Sequence, residues 1–538
     1  MIDMMKFEQW RAGLLTFEST AKVENPFLDV TIVAEFTSPT GIVIKREAFW
    51  DGGNTYNVSF APIEIGVWDY VIQSPNETGL NGKSGKVECI PYTGELPIYK
   101  HGFLKVGEQG RYLTYADGTP FFWLGDTHWG FVSGEKWDES NHPKMSCMFK
   151  GMVDRRWAQK FTVYQSNLRP EKYMGNARYW EEGKEGILPD IGFYQNVVDK
   201  RMHYIADKGL VNALGFAWCF SGMDIDIMKN FARYIIARYG ALPIVWTLAG
   251  EVAGYYPEQR EMLINNWREV ALLTEKLDGY GHLQTAHYTN ERPFPDYYQN
   301  ENWFDFTLGQ AGHGDYVISM RDFYAHRQKF PNKPFIESEG FYEFVHTLEE
   351  NGGRIATADM LRRVAYLSIQ SGGCGYTYGA QGIWDTVWEK PKEMTGIMQV
   401  FNPHGITWAE AIDGIGAVQM GYMRDFYEAV EFHKLRPFMA CFKSSSFFLG
   451  DALFGLFSPA ISANDDMSTV VVYVSGNSRI NDTFIQYLHG TYRIEWFDPR
   501  ESKWIVVSDH AMAKDGKLPI PTRPDSQDWL LVFRRFVS

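Results

Sequence analysis

The stretch VNALGFAWCFSGMDIDIMKNFARYIIARYGALPIVWTLAGE, residues 211–251, contains the repeat that decides the fold. Its two apolar runs, Val211–Ala217 and Ile244–Leu248, predict buried strands, because parallel strands covered on both faces are nearly continuous in hydrophobic residues. Between them, apolar residues recur at helical spacing over 224–239, and Gly240 stands where a helix C-cap is expected. This order predicts two parallel strands joined by a crossover helix.

The same alternation extends from about residue 103 to residue 435, and another amphipathic helix is predicted over 257–276. Eight strand–helix repeats predict an α/β fold with a central (β/α)8 TIM barrel. An open doubly wound sheet is the alternative, and it is disfavoured because no GxGxxG follows the first strand. The eight strand candidates are Phe121–Gly125, Phe161–Gln165, Val211–Ala217, Ile244–Leu248, His282–His287, Phe304–Leu308, Pro334–Ile336 and Gly373–Tyr378.

The two flanks of this region have a different, β-rich pattern. Short runs such as Thr55–Phe60 and Thr469–Val474 alternate with turn residues, which is typical of antiparallel sandwiches. We therefore expect three domains: an N-terminal β-sandwich over 1–95, the barrel over 103–435, and a C-terminal β-sandwich over 440–538.

Composition limits the partners and the cellular location. The chain has 52 basic and 66 acidic residues, a formal net charge of −14, which disfavours nucleic acid. Its longest apolar runs are too short to span a membrane, and the N-terminus has no signal-peptide pattern. Five scattered cysteines predict neither a disulfide framework nor a zinc site. These features favour a cytoplasmic protein, or a secreted or periplasmic one if a leader precedes the sequence.

The predicted barrel mouth is polar and aromatic. Reacting groups of barrel enzymes lie at the C-terminal ends of the strands, so the strand list gives a site list. Hydrogen-bonding groups interleaved with Trp and Tyr suit a polyhydroxylated ligand, and aromatic planes stack on sugar rings. We therefore predict a carbohydrate site. The predicted substrate-binding residues are Asp126, His128, Trp129, Gln165, Asn167, Trp218, His287, Tyr288, Gln310, His313 and Trp384.

Two carboxylates stand at the ends of the fourth and seventh predicted strands. Glu251 and Glu339 each follow an apolar run, where a charge has no packing role. Glycoside cleavage needs one carboxyl group as acid and a second as nucleophile or base, and a retaining pair lies about 5 Å apart. Glu337 has the same strand parity as Glu339 and remains an alternative nucleophile. Glu343 is a further candidate substrate contact.

Several segments resemble one known family. They are YADGTPFFWLGDT at 115–127, VWTLAGE at 245–251, KPFIESE at 333–339, GGCGYTYGAQGIW at 372–384, and residues 408–437. Together they resemble the apiosidase-like barrels of glycoside hydrolase family 140, and the flanks resemble the sandwiches that accompany such barrels. Gly250 stands where the larger clan of barrel glycosidases prefers Asn.

The resemblance implies a retaining, exo-acting glycosidase for a plant-derived oligosaccharide or glycoside. It implies Glu251 as acid/base and Glu339 as nucleophile, with no metal and no cofactor. Two alternatives stay open: a non-catalytic carbohydrate-binding barrel, and a metal-dependent hydrolase or lyase. The second would use Asp126, His128, His287 and His313. The sandwiches are expected to pack on the barrel or to build a homo-oligomer.

Overall fold

The centre of the molecule is a curled, parallel sheet of seven strands, with helices packed around it. The computed structural model describes residues 4–169, 177–218, 224–254, 256–291, 294–312, 316–347, 353–392, 397–444, 459–476, 480 and 482–536. Neighbouring strands of the central sheet are parallel throughout. In spatial order the strands are Ile244–Gly250, Val211–Trp218, Val163–Arg169, Trp123–His128, Gly375–Tyr378, Phe335–Glu337 and Thr307–Gly309.

The predicted strand over 282–287 is the exception to the regular sheet. Gln284 forms a single parallel bridge with Trp246, and His287 forms one with Leu308. The segment therefore touches both edge strands without a continuous ladder. Thr285 N–H donates to the carbonyl oxygen of Trp246 at 2.9 Å and His287 N–H to that of Ala249 at 3.1 Å, so the ladder skips a residue at Leu248, whose φ of 50° is left-handed.

The helices follow the predicted amphipathic pattern. The helix Ile225–Tyr239 begins after Asp224, whose carboxylate accepts the backbone N–H of Asp226 at 2.8 Å. Gly240 is the C-cap of this helix, as predicted, with a φ of −68° and its backbone N–H donating to the carbonyl oxygen of Ile236. A Cβ there would lie 3.0 Å from the Arg46 guanidinium. The other longer helices are Met148–Ala158, Asp199–Asp207, Arg260–Leu277, Tyr316–Lys329, Ala358–Gln370 and Ile415–Ala429. Shorter helical segments are Pro97–His101, Ile191–Phe193, Tyr194–Val198, Pro257–Gln259, Ile397–Phe401, Trp408–Ala411, Phe432–Lys434 and Met439–Cys441.

Two sheets precede the central one and share a core of their own. Phe36 and Phe60 stack at 3.7 Å between ring centroids, one from each sheet, beside the buried Trp68. The buried Arg46 connects this region to the central one by donating to the carbonyl oxygens of Asp278 and Ile236. One sheet consists of Met5–Glu8, Ser84–Ile90, Gly66–Gln73, Val33–Thr37 and Val43–Glu47, and the other of Gly13–Glu18, Thr55–Phe60 and Phe49–Trp50.

Two further sheets follow the central one and also share a core. The buried pair Arg362–Asp528, at 2.7 Å, connects them to the central region. The larger sheet consists of Arg436–Pro437, Ala460–Ala463, Thr469–Val474, Trp529–Arg535, Thr491–Asp498 and Lys503–Met512, and the smaller of Phe442–Ser444, Thr483–Gln486 and Lys517–Pro519. A small sheet of Lys105–Val106, Leu113–Thr114 and Pro120–Phe121 lies before the first central strand. Among the described residues, no helix combines the length and apolarity that a bilayer crossing requires.

Candidate active site

Glu251 is held in a defined position immediately after the strand Ile244–Gly250. Its φ of 50° is left-handed, which is uncommon outside glycine, and such backbone strain clusters at functional sites. Trp218 Nε1 donates to its Oε2 at 3.2 Å, and Gln310 Nε2 donates to its Oε1 at 3.2 Å. Trp218 ends one strand of the sheet, and Gln310 follows another. Their hydrogen bonds therefore fix the carboxyl group across the end of the sheet.

Gly250 makes room for this arrangement. A Cβ atom at residue 250 would lie 2.3 Å from the Trp218 ring, closer than any real contact of this kind. The indole therefore lies directly on the backbone that precedes Glu251. This close approach is a physical reason for glycine at the position where the resemblance leads one to expect asparagine.

Glu337 and Glu339 have different surroundings although they are two residues apart. Glu337 ends the strand Phe335–Glu337 and is 0% exposed. Its Oε1 accepts the backbone N–H groups of Ala311 at 3.1 Å and of Glu339 at 3.0 Å. Glu339 is 6% exposed, and its Oε2 lies 3.3 Å from His287 Nε2. The Glu337 carboxylate thus supports the backbone that carries Glu339.

An aromatic cluster connects the two candidate carboxylates. The Trp129 ring lies 5.0 Å from that of Trp218, which donates to Glu251, and 5.4 Å from that of His287. Trp129 Nε1 also donates to the Tyr342 hydroxyl at 3.2 Å. Burial, followed by the negative charge of Glu339, raises the pKa of Tyr342 well above its usual value. These contacts bring the predicted residues Trp129, Trp218, Glu251, His287, Gln310 and Glu339 together at one end of the sheet.

Asp126 and His128 lie elsewhere, between the first central strand and the helix Met148–Ala158. Asp126 Oδ2 accepts from Arg156 Nε at 2.5 Å and contacts His128 Nε2 at 2.9 Å. His128 Nδ1 lies 2.7 Å from Glu135 Oε1. Burial opposes protonation of His128, but its two carboxylate neighbours outweigh burial and raise its pKa to about 9. Both residues therefore belong to a buried ionic network that faces the helix layer.

Three other predicted contacts make hydrogen bonds within the protein. Gln165 Nε2 donates to the carbonyl oxygen of Ser338 at 3.0 Å, and the Asn167 side chain accepts the backbone N–H of Arg169 at 3.1 Å. Trp384 Nε1 donates to Gln381 at 3.1 Å. The Trp384 ring also lies 5.8 Å from that of Tyr342, at the edge of the aromatic cluster.

Tyr288 and Glu343 have structural surroundings. The Tyr288 hydroxyl donates to the carbonyl oxygen of Tyr297, and its ring is fully buried among aromatic residues. Glu343 accepts the Tyr378 hydroxyl at 2.6 Å and the backbone N–H of Gly416 at 3.0 Å, at the start of the helix Ile415–Ala429. Burial raises the pKa of Glu343.

The residues named for a metal centre do not converge on one site among the described residues, although Asp126 and His128 contact each other. Asp126 and His128 face the helix layer, whereas His287 faces Glu339. His313 lies outside the described part of the chain. In that described part, no group of three or more His, Cys, Asp or Glu side chains has the geometry of a metal site.

Tyr342 is the site residue that the sequence analysis missed. It lies in the loop after the strand Phe335–Glu337, and its contacts with Trp129 and Glu339 are made across the sheet end. The only signal in the sequence is its place three residues after Glu339, within the run Glu339-Gly-Phe-Tyr.

Comparison with known protein families gives two matches. Residues 107–434 match the model described as "Apiosidase-like, catalytic domain", which covers more than half of the chain. Residues 6–75 match a domain of unknown function, DUF5060. No curated protein matches the chain.

Solved structures resemble the fold at low sequence identity. A candidate glycoside hydrolase from Bacteroides vulgatus ATCC 8482 has a TM-score of 0.72 and 18% identity, and the alignment covers 99% of this chain and 100% of that one. A glycoside hydrolase family 5 protein from the same organism has a TM-score of 0.66 and 20% identity, with 82% of this chain and 95% of that one covered. At these identities the similarity concerns the fold.

Proposed function

The chain belongs to the family of apiosidase-like catalytic domains and is a glycosidase, and from this premise we propose that Glu251 and Glu339 are its catalytic pair. The observation that carries the proposal is the single aromatic cluster of Trp129, Trp218, His287 and Tyr342, which contacts both carboxyl groups. Two positioned carboxyl groups on either side of one glycosidic bond are what this chemistry requires.

The proposal includes a closed barrel. The segment 284–287 has one parallel bridge to each edge strand of the central sheet, through Trp246 and Leu308. We take it as the fifth strand of a (β/α)8 barrel, shortened to single bridges. In that arrangement Glu251 follows strand four and Glu339 follows strand seven, on opposite sides of the C-terminal mouth where barrel enzymes react.

Hydrogen bonding favours Glu339 over Glu337 as the nucleophile. Glu337 is fully buried, and its carboxylate accepts two backbone N–H groups. Those bonds engage its Oε1 and hold the carboxylate against the backbone. Glu339 lies beside His287 and Tyr342, on the side of the aromatic cluster.

The proposed reaction is a double displacement. The Glu339 carboxylate attacks the anomeric carbon while the Glu251 carboxyl group donates its proton to the glycosidic oxygen, and the alcohol leaves. Glu251, now a carboxylate, then removes a proton from water. That water attacks the anomeric carbon and breaks the ester to Glu339, which releases the sugar with its original anomeric configuration.

The enclosed site suits removal of a terminal sugar. Glu251 and Glu339 are each 6% exposed, and Trp129 and Trp218 are similarly buried at 3% and 6%. A single ring enclosed by indole faces fits this geometry better than the middle of a long polymer. We propose an exo-acting enzyme for a plant-derived oligosaccharide or glycoside, with apiosides as the first substrates to test.

The experiment is a panel of aryl glycosides, including apiosides, arabinosides, galactosides and rhamnosides, tested with wild type, Glu251→Gln and Glu339→Gln. Glu339→Gln should lose about 10,000-fold or more in kcat on every substrate, because no nucleophile remains. Glu251→Gln should lose about 100-fold to 10,000-fold on poor leaving groups. On dinitrophenyl glycosides, which leave without a proton, it should form the glycosyl-enzyme at a nearly normal rate.

The matched control is Glu261→Gln, which removes one exposed carboxylate from the helix Arg260–Leu277. It should keep wild-type activity. Hydrolysis at near-normal rates by either active-site variant, on a substrate that the wild type accepts, would contradict the assignment.

A further inference from the structure

A cavity lies at the end of the central sheet opposite the proposed active site. Its volume is about 220 Å³, and its lining includes Arg111, Arg327, Gly372, Arg436 and Ser462. Gly372 lies just before the strand Gly375–Tyr378, and thus at the N-terminal end of the sheet. Arg436 and Ser462 belong to strands of the C-terminal sheet. The cavity therefore lies where two parts of the molecule meet.

The cavity is rich in positive charge although the chain as a whole is acidic, at −14. Its described lining contains three arginines and a histidine but no Asp or Glu. Arg436 has an acidic partner just outside, Asp465, at 3.1 Å. Burial and the neighbouring charge of Arg436 lower the pKa of Arg111, and burial and the charge of Arg111 lower the pKa of Arg327. These guanidinium groups therefore repel one another, which a bound anion would relieve.

Two buried donors in the lining have no acceptor among the described residues. Arg327 Nη1 donates to the carbonyl oxygen of Lys333 at 2.8 Å, which orients the guanidinium, while its buried Nε has no partner. Ser462 is 3% exposed, and its Oγ also has no partner. Buried donors of this kind usually have partners, and these two can donate to an acceptor that enters the cavity.

The backbone keeps the space beside Arg327 open. Gly372 has a φ of 98°, and a Cβ atom there would lie 3.2 Å from Arg327 Nε. A side chain at residue 372 would be strained and would also press against the unpartnered donor. Glycine at residue 372 therefore permits the turn and leaves Arg327 Nε accessible.

We propose that this cavity binds an oxyanion, either a phosphate group or the carboxylate of a small molecule, between the central and C-terminal sheets. Arg327 and Ser462 donate to its oxygen atoms, and Arg111 supplies further positive charge. A planar guanidinium binds phosphate and carboxylate groups alike. The experiment below distinguishes these two kinds of oxyanion. Since the ligand contacts both regions, it should stabilise their junction.

The test is isothermal titration calorimetry on the full chain at constant ionic strength, with inorganic phosphate, galacturonate and neutral galactose as probes. Wild type should bind at least one of the two anions saturably and should not bind galactose at this site. Phosphate binding alone would assign a phosphate ligand, and galacturonate binding alone a carboxylate. Thermal melting should rise with the concentration of the same anion.

Variants locate the binding. Arg327→Gln should weaken it by about tenfold or more, since it loses a charge-assisted hydrogen bond, and Ser462→Ala should weaken it severalfold without a change of charge. Arg11→Gln, which removes a partly exposed arginine elsewhere, should bind like wild type. Glu339→Gln should also bind the anion like wild type. A failure of the anion-site proposal can therefore be distinguished from a failure of the proposed active site. The proposal would be overturned if neither anion binds saturably. It would also be overturned if Arg327→Gln and Ser462→Ala both bind the anion as tightly as wild type.

Discussion

The pair Glu337→Gln and Glu339→Gln should separate stability from catalysis. The Glu337 Oε1 accepts two buried backbone N–H groups, from Ala311 and Glu339. A hydrogen bond to a charged acceptor contributes about 1.5–3 kcal/mol, against about 0.5–1.5 kcal/mol for a neutral one. Two such bonds therefore give a loss of about 2 kcal/mol in the free energy of unfolding for Glu337→Gln, whose neutral oxygen still accepts both.

Glu339→Gln should behave in the opposite way. Active-site charges are selected for chemistry and not for stability, so its free energy of unfolding should change by less than about 1 kcal/mol or rise. Urea denaturation, followed by tryptophan fluorescence, measures the free energy of unfolding. The kcat on an accepted aryl glycoside measures catalysis. Folded Glu337→Gln should retain turnover, since its Oε1 geometry is kept. The reasoning is refuted if Glu337→Gln is as stable as wild type but inactive while Glu339→Gln remains active.

Three further changes probe the surroundings of the site. Gly250→Ala places a Cβ 2.3 Å from the Trp218 ring and should lower kcat/KM by about 100-fold through displacement of that indole. Tyr342→Phe removes a hydrogen bond next to Glu339 and should lower kcat by about tenfold or more. His128 has its pKa raised from 6.5 to about 9, so its protonation contributes about 3 kcal/mol to the free energy of unfolding. That contribution is complete below pH 6.5 and is lost as pH rises through 9. His128→Gln should accordingly flatten the stability profile over that range, as measured by urea denaturation at each pH.

Each of these three has a control or a contradicting result. Gly192→Ala, where the nearest atom is 3.5 Å from the added Cβ, should keep wild-type kcat/KM. Tyr342→Phe with unchanged kcat would remove the hydroxyl from the catalytic account. An equal loss of stability between pH 6.5 and 9 in His128→Gln and wild type would mean that folding does not raise the pKa of His128.

Sequence patterns predicted the central elements well where periodicity was clear. The helix predicted over 224–239 is Ile225–Tyr239, and the strand Thr469–Val474 has the predicted bounds. The strand predicted over 282–287 is reduced to bridges, because Leu248 in the neighbouring strand has a left-handed φ of 50° that interrupts the regular ladder. Such an irregularity of the backbone leaves no trace in the pattern of hydrophobic residues.

The site was harder to predict because both faces of a parallel strand are buried. Hydrophobicity then does not tell which residues face inward. Asp126 and His128 were therefore predicted for the mouth, but their partners Arg156 and Glu135 place them against the helix layer. Tyr342 lies on a loop, where a contact across the sheet end has no sequence period. The class of enzyme, a glycosidase, was easier to predict, since a carboxylate directly after an apolar strand is conspicuous.

The central claim, that Glu339 forms the covalent intermediate, is tested most directly by trapping that intermediate. Wild type is incubated with a 2-fluoro glycoside of an accepted sugar, digested, and analysed by tandem mass spectrometry of the peptide that contains Glu337 and Glu339. We expect one sugar esterified to Glu339, with no label in Glu339→Gln. A label on Glu337, or inactivation with a label on neither glutamate, would contradict the account.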